Sequence, residues 1–340
     1  MTAAPKKVNL ALQGGGAHGA VAWGVLDRLL EDERIAVEGI SGASAGAVNA
    51  AALAYGLFRD GRAGARETLD QLWAEIARVG AFYSPVRALP FDNADNPFSY
   101  RMFDIFTRVC SPYEFNPFNI NPLRDVLTRV IDFDKLSKCT KTRLFLSATN
   151  VRTGKIKIFR TKDASIDAVL ASTCLPFLFK AVEIDGEAYW DGGYMGNPPL
   201  FPFIYEVETC DILIVHVNPL TREEVPVSAS GILNRINEIS FNSSLLREFR
   251  AIAFVEKLLE DGWIKEEHQG RLKHIRVHSV RSDRPLTEYS VASKFNVDPE
   301  FLNALKAHGR SIADDWISEN FDSIGVRSSA NIRDMFDGGS

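Results

Sequence analysis

Two short apolar runs, each ended by glycines and followed by a helical pattern, constrain the fold of this chain most strongly. Val8–Leu12 leads into Gly14-Gly15-Gly16 and then into Ala20–Leu30, whose apolar spacing is helical. Ile35–Ile40 is followed in the same way by a tight turn and by the helical Ala47–Phe58. A strand–turn–helix order that occurs twice in succession predicts a parallel sheet flanked by helices.

Later parts of the chain continue the alternation of strands and helices. Arg143–Thr149 and Lys155–Phe159 alternate apolar and polar residues around a Thr-Gly turn and predict a hairpin-like pair. Asp211–Val217 is the clearest later core strand, and the pattern becomes mainly helical from Gly231 onward. We therefore predict an α/β fold with a mainly parallel central sheet and a helical C-terminal extension.

The chain shows no internal repeat and no linker between independent parts. We predict a core at residues 1–220 and a mainly helical C-terminal extension, residues 221–340, that packs on it. Residues from about 82 to 122 are rich in Phe, Pro, Asn and Tyr without a sustained period, and such segments often serve as lids or binding loops. We expect an irregular, lid-like insertion there.

Composition and charge exclude several classes of protein. The 340 residues are 46% hydrophobic and 24% charged, which is ordinary for a globular protein and excludes a mostly disordered chain. The formal net charge is −5, so the chain lacks the basic excess that would favour nucleic acid as a partner. The four cysteines are widely spaced, without a zinc pattern or a disulfide framework. This cysteine usage predicts a reducing, cytoplasmic location and no metal site. No apolar run approaches the roughly 20 residues of a spanning helix.

Ser44 is the first candidate catalytic residue. It is the central residue of Gly42-Ala43-Ser44-Ala45-Gly46, a G-x-S-x-G pattern between a predicted strand and a predicted helix. In this context the small neighbours allow a sharp turn that exposes the serine hydroxyl, and the helix N-terminus favours developing negative charge. The pattern alone is weak, because Ser and Gly are common in tight turns.

The earlier glycine run, from Gly14 to Gly19, has two competing interpretations. In an acyl-transfer enzyme, backbone N–H groups of such a loop bind the oxygen that becomes negative, and losing one donor costs about 2.7–4 kcal/mol. The spacing of Gly14, Gly16 and Gly19 equally satisfies the dinucleotide fingerprint, with Glu38 about 20 residues further on as a ribose-binding acid. A nucleotide-binding oxidoreductase is therefore the first alternative.

Asp191 favours the acyl-transfer interpretation. It follows the extended Tyr189-Trp190 and precedes Gly192-Gly193, so its carboxylate lies in a tight turn where it would accept a hydrogen bond from a serine hydroxyl. Dinucleotide binding has no use for a second carboxylate flanked by glycines. By itself the residue would be typical of an ordinary Asx turn.

The ordered set of motifs resembles the patatin-like phospholipases, serine acyl hydrolases with a Ser–Asp dyad and a three-layer α/β/α fold. Gly14–Gly19 is similar to the family's glycine-rich oxyanion motif, Ser44 to its nucleophile and Asp191 to its dyad carboxylate. The segment Ala171–Pro176, which precedes Asp191, is also similar. The resemblance extends over about residues 8–218.

This resemblance implies a lipid acyl hydrolase of the phospholipase A, lysophospholipase or esterase type that needs no cofactor. Ser44 would attack the ester carbonyl, Asp191 would accept its proton, and water would hydrolyse the resulting acyl-enzyme. We expect a dry environment that raises the proton affinity of Asp191. The implied oxyanion donors are the backbone N–H groups of Gly14, Gly15, Gly16 and Ala45.

His18 departs from the family pattern, which commonly has Arg or Lys at this position. The backbone donors of the glycine loop are unaffected by this difference, which concerns only the charge contributed by the side chain. We expect His18 either to anchor the loop or to contact an anionic head group when protonated.

Two further alternatives remain open. A Ser–His–Asp triad is compatible with the chain order, because several histidines follow Ser44. They are His216, His268, His274, His278 and His308. His216, at the end of the strongest strand, is the leading candidate. The other alternative is a non-catalytic protein that binds a lipid surface.

A lipid or ester substrate and peripheral contact with a membrane are the expected partnerships, and the oligomeric state is left open.

Overall fold

The structure is a computed structural model, and it describes residues 4–83, 106–107, 109–269, 272–281, 286–289 and 291–337. The predicted lid-like insertion lies mostly outside the described residues, because it contains 84–105 and 108. Within the described ranges, eight strands form one sheet. They are β1 (Lys6–Leu12), β2 (Ile35–Gly42), β3 (Arg143–Asn150), β4 (Ile156–Arg160), β5 (Val182–Ile184), β6 (Glu187–Asp191), β7 (Asp211–Val215) and β8 (Arg276–Val280).

Helices connect most of these strands. In the described part of the chain they are α1 (Gly19–Glu31), α2 (Ala45–Tyr83), α3 (Pro112–Phe115), α4 (Pro122–Val130), α5 (Phe133–Leu136), α6 (Ile166–Ser172), α7 (Phe201–Glu206), α8 (Ala229–Glu260), α9 (Glu266–Gln269), α10 (Pro299–Asn320) and α11 (Ile332–Phe336). Short 3₁₀-helices lie at Gly16–His18, Thr161–Asp163, Gly192–Tyr194, Val291–Phe295 and Phe321–Ser323. Helix α2 is interrupted at Asp60 and Gly61, whose backbone angles are not helical.

The sheet is mainly parallel, as predicted. Strands β8, β7, β1, β2 and β3 lie side by side in this order and run parallel. Strands β4 and β6 both pair with β3 in antiparallel fashion, and β5 pairs with β6. The predicted hairpin-like pair is therefore confirmed as β3 and β4. The carboxyl ends of the parallel strands meet at one end of the sheet, where such folds place their sites.

Helices cover both faces of the sheet, which gives the predicted three layers. Leu10 and Leu12 of β1 belong to a core formed with α1, α2 and α10. Ala11, which points to the other face, belongs to a second core with α7 and α8. Successive side chains of a strand alternate between faces, so a strand buried on both sides is apolar throughout its length. This explains the continuous apolar runs in the sequence.

Strands β2 and β6 share one edge of β3, and this arrangement positions the site. Phe145 of β3 pairs with Ser41 of β2 and also with β4, while Ala148 pairs with Asp191 of β6 and also with β4. Because β4 occupies one edge of β3, β2 and β6 must follow one another along the opposite edge. The end of β2, which leads to Ser44, therefore meets the end of β6, which is Asp191.

The predicted C-terminal extension contributes to both the sheet and the helical layers. Strand β8 adjoins β7 in the central sheet, α10 packs on α1, and α8 packs on the opposite face. The division of the chain at residue 220 stays a prediction. In the ranges that the structure describes, no helix combines the length and the apolar character needed to cross a membrane.

Candidate active site

Ser44 occupies a strained turn between β2 and α2. Its φ angle is 53°, in the left-handed region that residues other than glycine seldom adopt. Such a conformation costs about 1–3 kcal/mol and persists only where the surroundings enforce it. Gly42 and Gly46 are required here, because a Cβ on Gly42 would overlap the Gly46 carbonyl oxygen and a Cβ on Gly46 would overlap that of Leu12. The sharp turn predicted at Ser44 is present.

The end of helix α6 links Ser44 to Asp191. The Ser44 N–H donates to both the carbonyl oxygen and the Oγ of Ser172, each at 3.1 Å. Two residues further on, the carbonyl oxygen of Cys174 accepts the Asp191 N–H at 2.8 Å. The segment that precedes Asp191 in the sequence therefore holds the backbone of both residues.

The carboxyl group of Asp191 is buried beside Ser44. The residue is 0% exposed, and its Oδ1 accepts the Gly193 N–H at 2.7 Å. Its Oδ2 has no hydrogen-bond partner among the described residues. Burial raises the pKa of Asp191 to about 7, an effect that the Gly193 N–H and the nearby Ser44 hydroxyl offset only in part. An acceptor atom of high proton affinity thus lies free next to the serine.

The glycine loop lies against Ser44 and differs from the prediction at one residue. A Cβ on Gly14 would lie 2.5 Å from the Ser44 Cβ, so only glycine fits there. The Gly14 N–H donates to Asn197 Oδ1 at 2.7 Å and is not available to a substrate. Within the described part of the chain, the N–H groups of Gly15, Gly16 and Ala45 make no hydrogen bond. The predicted set of four free donors is thereby reduced to three.

His18 is an interior residue that anchors the glycine loop. It is 2% exposed, its Nε2 lies 2.7 Å from Ser293 Oγ, and its ring contacts Tyr289 and Phe301. Burial, with a smaller effect from the charge of Lys294, lowers the pKa of His18 to about 3. The ring is neutral at physiological pH and does not reach the surface, so the alternative of a head-group contact is not supported.

The position of Glu38 contradicts the dinucleotide-binding alternative. The side-chain oxygens of this residue accept the N–H groups of Glu208 and Thr209, at 2.7 and 2.8 Å. These residues precede β7, at the amino ends of the parallel strands, whereas the glycine loop lies at the carboxyl ends. Glu38 therefore caps a connection on the wrong side of the sheet for a ribose bound at the loop.

In the described part of the chain, neither His216, the leading triad candidate, nor His278 forms a hydrogen bond with Ser44. His216 is 2% exposed, and neither ring nitrogen has a hydrogen-bond partner among the described residues. Burial lowers its pKa to about 3, with a smaller contribution from the Arg281 charge. The two ring nitrogens of His278 lie 3.0 Å from Asp211 Oδ1 and 2.9 Å from Ser329 Oγ. Among the described residues, no group of three His, Cys, Asp or Glu side chains is arranged to hold a metal ion.

Comparison with known proteins decides the family. The sequence model described as patatin-like phospholipase matches residues 10–204, which is more than half of the chain. The chain belongs to the patatin-like phospholipase family. The predicted family and fold are thereby confirmed. The members of this family are generally lipid acyl hydrolases.

Individual relatives of this patatin-like chain are distant. Uncharacterized protein R571 of Acanthamoeba polyphaga mimivirus is 26% identical over 218 residues, which are 58% of this chain and 64% of that protein. Among solved structures, VipD from Legionella pneumophila has a TM-score of 0.42 at 14% identity, with 93% of this chain and 67% of that chain covered. The type III effector protein ExoU has a TM-score of 0.36 at 17% identity, with 93% and 53% covered. The chain thus spans between about half and two-thirds of the length of these relatives.

A set of side-chain amides around the glycine loop was missed by sequence reasoning. Gln13 Oε1 accepts the N–H groups of Val217 and Asn218, and Gln13 Nε2 donates to Asn242 Oδ1 at 2.9 Å. Asn197 Oδ1 accepts the Gly14 N–H. A single amide has no spacing pattern, so the one available signal was the position of Gln13 beside the glycines. Of these side-chain amides, Asn242 lies beyond the patatin-like match.

Proposed function

We propose that the chain hydrolyses carboxylic esters of lipids through a Ser44 acyl-enzyme, with Asp191 as the general base. The observation that carries this proposal is the free, buried Asp191 Oδ2 beside a serine held in a strained turn. A carboxyl group with a pKa of about 7 is matched to proton transfer near neutral pH. The family supports a lipid ester as the substrate class.

The first chemical step transfers the acyl group to the enzyme. Asp191 takes the hydroxyl proton while Ser44 Oγ forms a bond to the ester carbonyl carbon, whose π electrons move to oxygen. The tetrahedral intermediate collapses, the bond to the alcohol oxygen breaks, and the alcohol leaves with the proton from Asp191. Water then repeats this sequence on the acyl-enzyme and releases the fatty acid and free Ser44.

The glycine loop and the start of α2 would stabilise the negative oxygen. The donors that we propose are the N–H groups of Gly15, Gly16 and Ala45, which are unpaired among the described residues. Ala45 is also the first residue of α2, where the helix dipole favours negative charge. Removing one such donor typically costs about 10²–10³-fold in kcat.

Labelling with a fluorophosphonate, followed by intact-mass and peptide analysis, tests the proposal. We expect one adduct on the wild type, at Ser44, and none on Ser44→Ala. Asp191→Asn should label much more slowly and lose at least about 10³-fold in ester turnover, because the serine loses its base. Peripheral contact with a lipid surface stays a separate prediction.

Ser41→Ala is a matched control. Ser41 lies three residues before Ser44, is 0% exposed, and its Oγ has no hydrogen-bond partner among the described residues. Its loss should leave labelling and turnover close to those of the wild type. A well-folded wild type that binds lipid vesicles but neither labels nor turns over any ester would favour the non-catalytic alternative.

A further inference from the structure

Lys294 is a cationic side chain directly behind the glycine loop. It belongs to the 3₁₀-helix Val291–Phe295, far beyond the residues that carry the motifs. A Cβ on Gly16 would overlap the Lys294 carbonyl oxygen, so the two backbones are in contact. Hydrogen bonding of His18 to the neighbouring Ser293 fixes this contact. The C-terminal part of the chain thus supports the loop of the candidate active site.

The side chain of Asn218 connects Lys294 to the backbone of the glycine loop. Its Nζ lies 3.4 Å from Asn218 Oδ1, and Asn218 Nδ2 donates to the Gly14 carbonyl oxygen at 2.5 Å. The Asn218 N–H donates to Gln13 Oε1 at 3.0 Å, which holds the backbone of this residue as well. Lys294 therefore selects the orientation of the amide, because only Oδ1 can accept from an ammonium group.

The peptide between Gly14 and Gly15 couples the Asn218 contact to the Gly15 N–H group. In a planar trans peptide the carbonyl oxygen and the amide hydrogen point in opposite directions. Because Asn218 holds the Gly14 carbonyl oxygen, the direction of the Gly15 N–H is fixed. Hydrogen bonding to a carbonyl oxygen also polarises the N–H of the same peptide. The Gly15 N–H is one of the unpaired donors.

Lys294 shares a nearby carboxylate with two arginines. Among the described residues, Glu238 is the carboxylate whose charge acts on Lys294. Arg222 holds Glu238 at 2.7 and 2.9 Å, and Arg235 holds it at 3.2 Å. Burial is the main influence on the pKa of Lys294 and lowers it. Lys294, Arg222 and Arg235 therefore all lie near the Glu238 carboxylate behind the glycine loop.

We propose that Lys294 is a positioning residue for the acyl transfer: through Asn218 it orients and polarises the Gly15 N–H that binds the oxyanion. This inference rests on the proposed function. It assigns to the C-terminal extension a part in the reaction that Lys294 performs through Asn218, without itself contacting the reacting atoms. The expected benefit is confined to the transition state, since a neutral ester oxygen gains little from a polarised donor.

Steady-state kinetics on a soluble p-nitrophenyl ester test this role. Lys294→Met removes the charge and the donor at similar length, and should lower kcat about tenfold or more with KM unchanged. Asn218→Asp, which is nearly isosteric, cannot donate to Gly14 and should have the same signature. Because both residues act on one peptide, the double variant should lose little more than the more severe single variant. Lys294→Arg should retain more kcat than Lys294→Met.

Lys306→Met is the matched control. Lys306 lies on α10, is paired with Asp70 at 2.7 Å and contacts the Trp23 ring, away from the glycine loop. Its kinetics should equal those of the wild type. The inference is overturned if folded Lys294→Met and Asn218→Asp keep the wild-type kcat, if only KM changes, or if their losses multiply. A wild type without labelling or turnover would overturn the proposed function and this inference with it. If the wild type is active and Ser44→Ala is inactive, the proposed function stands, and the Lys294 and Asn218 variants then test this inference alone.

Discussion

The two ends of the central sheet each bury an aspartate, and the pKa values of the two carboxyl groups are shifted in opposite directions. Asp191 lies where the carboxyl ends of the parallel strands meet, and Asp211 begins β7 at their amino ends. Their exposures are 0% and 1%. The pKa of Asp191 is raised to about 7 by burial, whereas Arg276 and His278 overcome the effect of burial on Asp211 and hold its pKa far below the usual range.

The difference comes from the number of partners. Asp211 accepts two hydrogen bonds from Arg276, at 2.6 and 3.0 Å, one from the Gly325 N–H at 2.8 Å, and lies 3.0 Å from His278 Nε2. Asp191 accepts the Gly193 N–H, and its second oxygen is unpaired in the described part of the chain. A buried polar atom without a partner costs about 1–3 kcal/mol. One end of the sheet is therefore built for stability, and the other retains an unsatisfied group that a reaction would use.

Asp211→Asn should have the largest effect on stability. It removes the charge that pairs with Arg276 while keeping the side-chain volume, and should lower the free energy of unfolding by about 3 kcal/mol. This is the lower end of the range for a broken buried ion pair, because Arg276 keeps some access to water. Urea denaturation at neutral pH measures it. The folded variant should keep the wild-type kcat, since Asp211 lies at the other end of the sheet.

Asp314→Asn provides the control for this change. Asp314 pairs with Arg28 at 2.7 Å, but its side chain is 65% exposed, and such surface pairs contribute about 0–1 kcal/mol. An Asp211→Asn protein as stable as Asp314→Asn would contradict the contrast between the two ends of the sheet. A folded Asp211→Asn protein with greatly reduced kcat would do so as well.

The second prediction concerns pH. Because Asp191 must be deprotonated to act as a base, kcat/KM should rise with pH to a plateau above about pH 7, and should fall about tenfold per unit below about pH 6. A pH–rate profile on a soluble ester measures this. A profile that is flat from pH 5 to pH 8 would remove Asp191 from the role of base.

Glu248→Gln tests whether a different buried carboxyl group sets the pH dependence of kcat/KM. Burial also raises the pKa of Glu248 to about 7, but this side chain accepts the Leu200 N–H at 2.9 and 3.0 Å, away from Ser44. The variant should keep the wild-type pH–rate profile. In both carboxyl groups the folded protein holds a proton that the unfolded chain releases near pH 4, so each lowers stability as pH rises from about 4 to about 7. Asp191→Asn and Glu248→Gln should each flatten that slope, and only Asp191→Asn should lose activity.

The fold and the two glycine turns that carry Ser44 and Asp191 could be predicted, because the constraints on them are local. Gly14 and Gly46 pack so closely on neighbouring backbone or side chains that no Cβ fits, and this leaves glycines in a fixed order between apolar runs. Ser44 and Asp191 each lie in such a glycine turn. Since β2 and β6 share an edge of β3, the two turns meet. The role of the pair in catalysis stays a prediction for the labelling experiment.

The residues that hold the glycine loop could not be predicted, because they depend on contacts across the chain. Asn197 binds Gly14 from 183 residues away, and Lys294 approaches Asn218 from a different element. Neither residue has a repeated spacing or a motif. The Asn197 contact corrected one expectation, because it occupies the Gly14 N–H. Burial of His18 beside Ser293 favours the loop-anchoring alternative over the head-group contact. The turns that hold Ser44 and Asp191 left a sequence signature, and the residues that support the glycine loop did not.

The smallest expected effect is that of His216→Leu. The ring is buried at the same end of the sheet as Asp191, and neither nitrogen has a partner among the described residues. Replacing it with an apolar side chain should raise the free energy of unfolding by up to about 1 kcal/mol, because an unsatisfied buried group is removed. Turnover should stay within about threefold of the wild type, as expected for a residue outside the reaction. Urea denaturation and kcat on the soluble ester measure both quantities. A folded variant that loses turnover by a hundredfold would return His216 to the mechanism, and the unpaired groups at this end of the sheet would then belong to one histidine-dependent site.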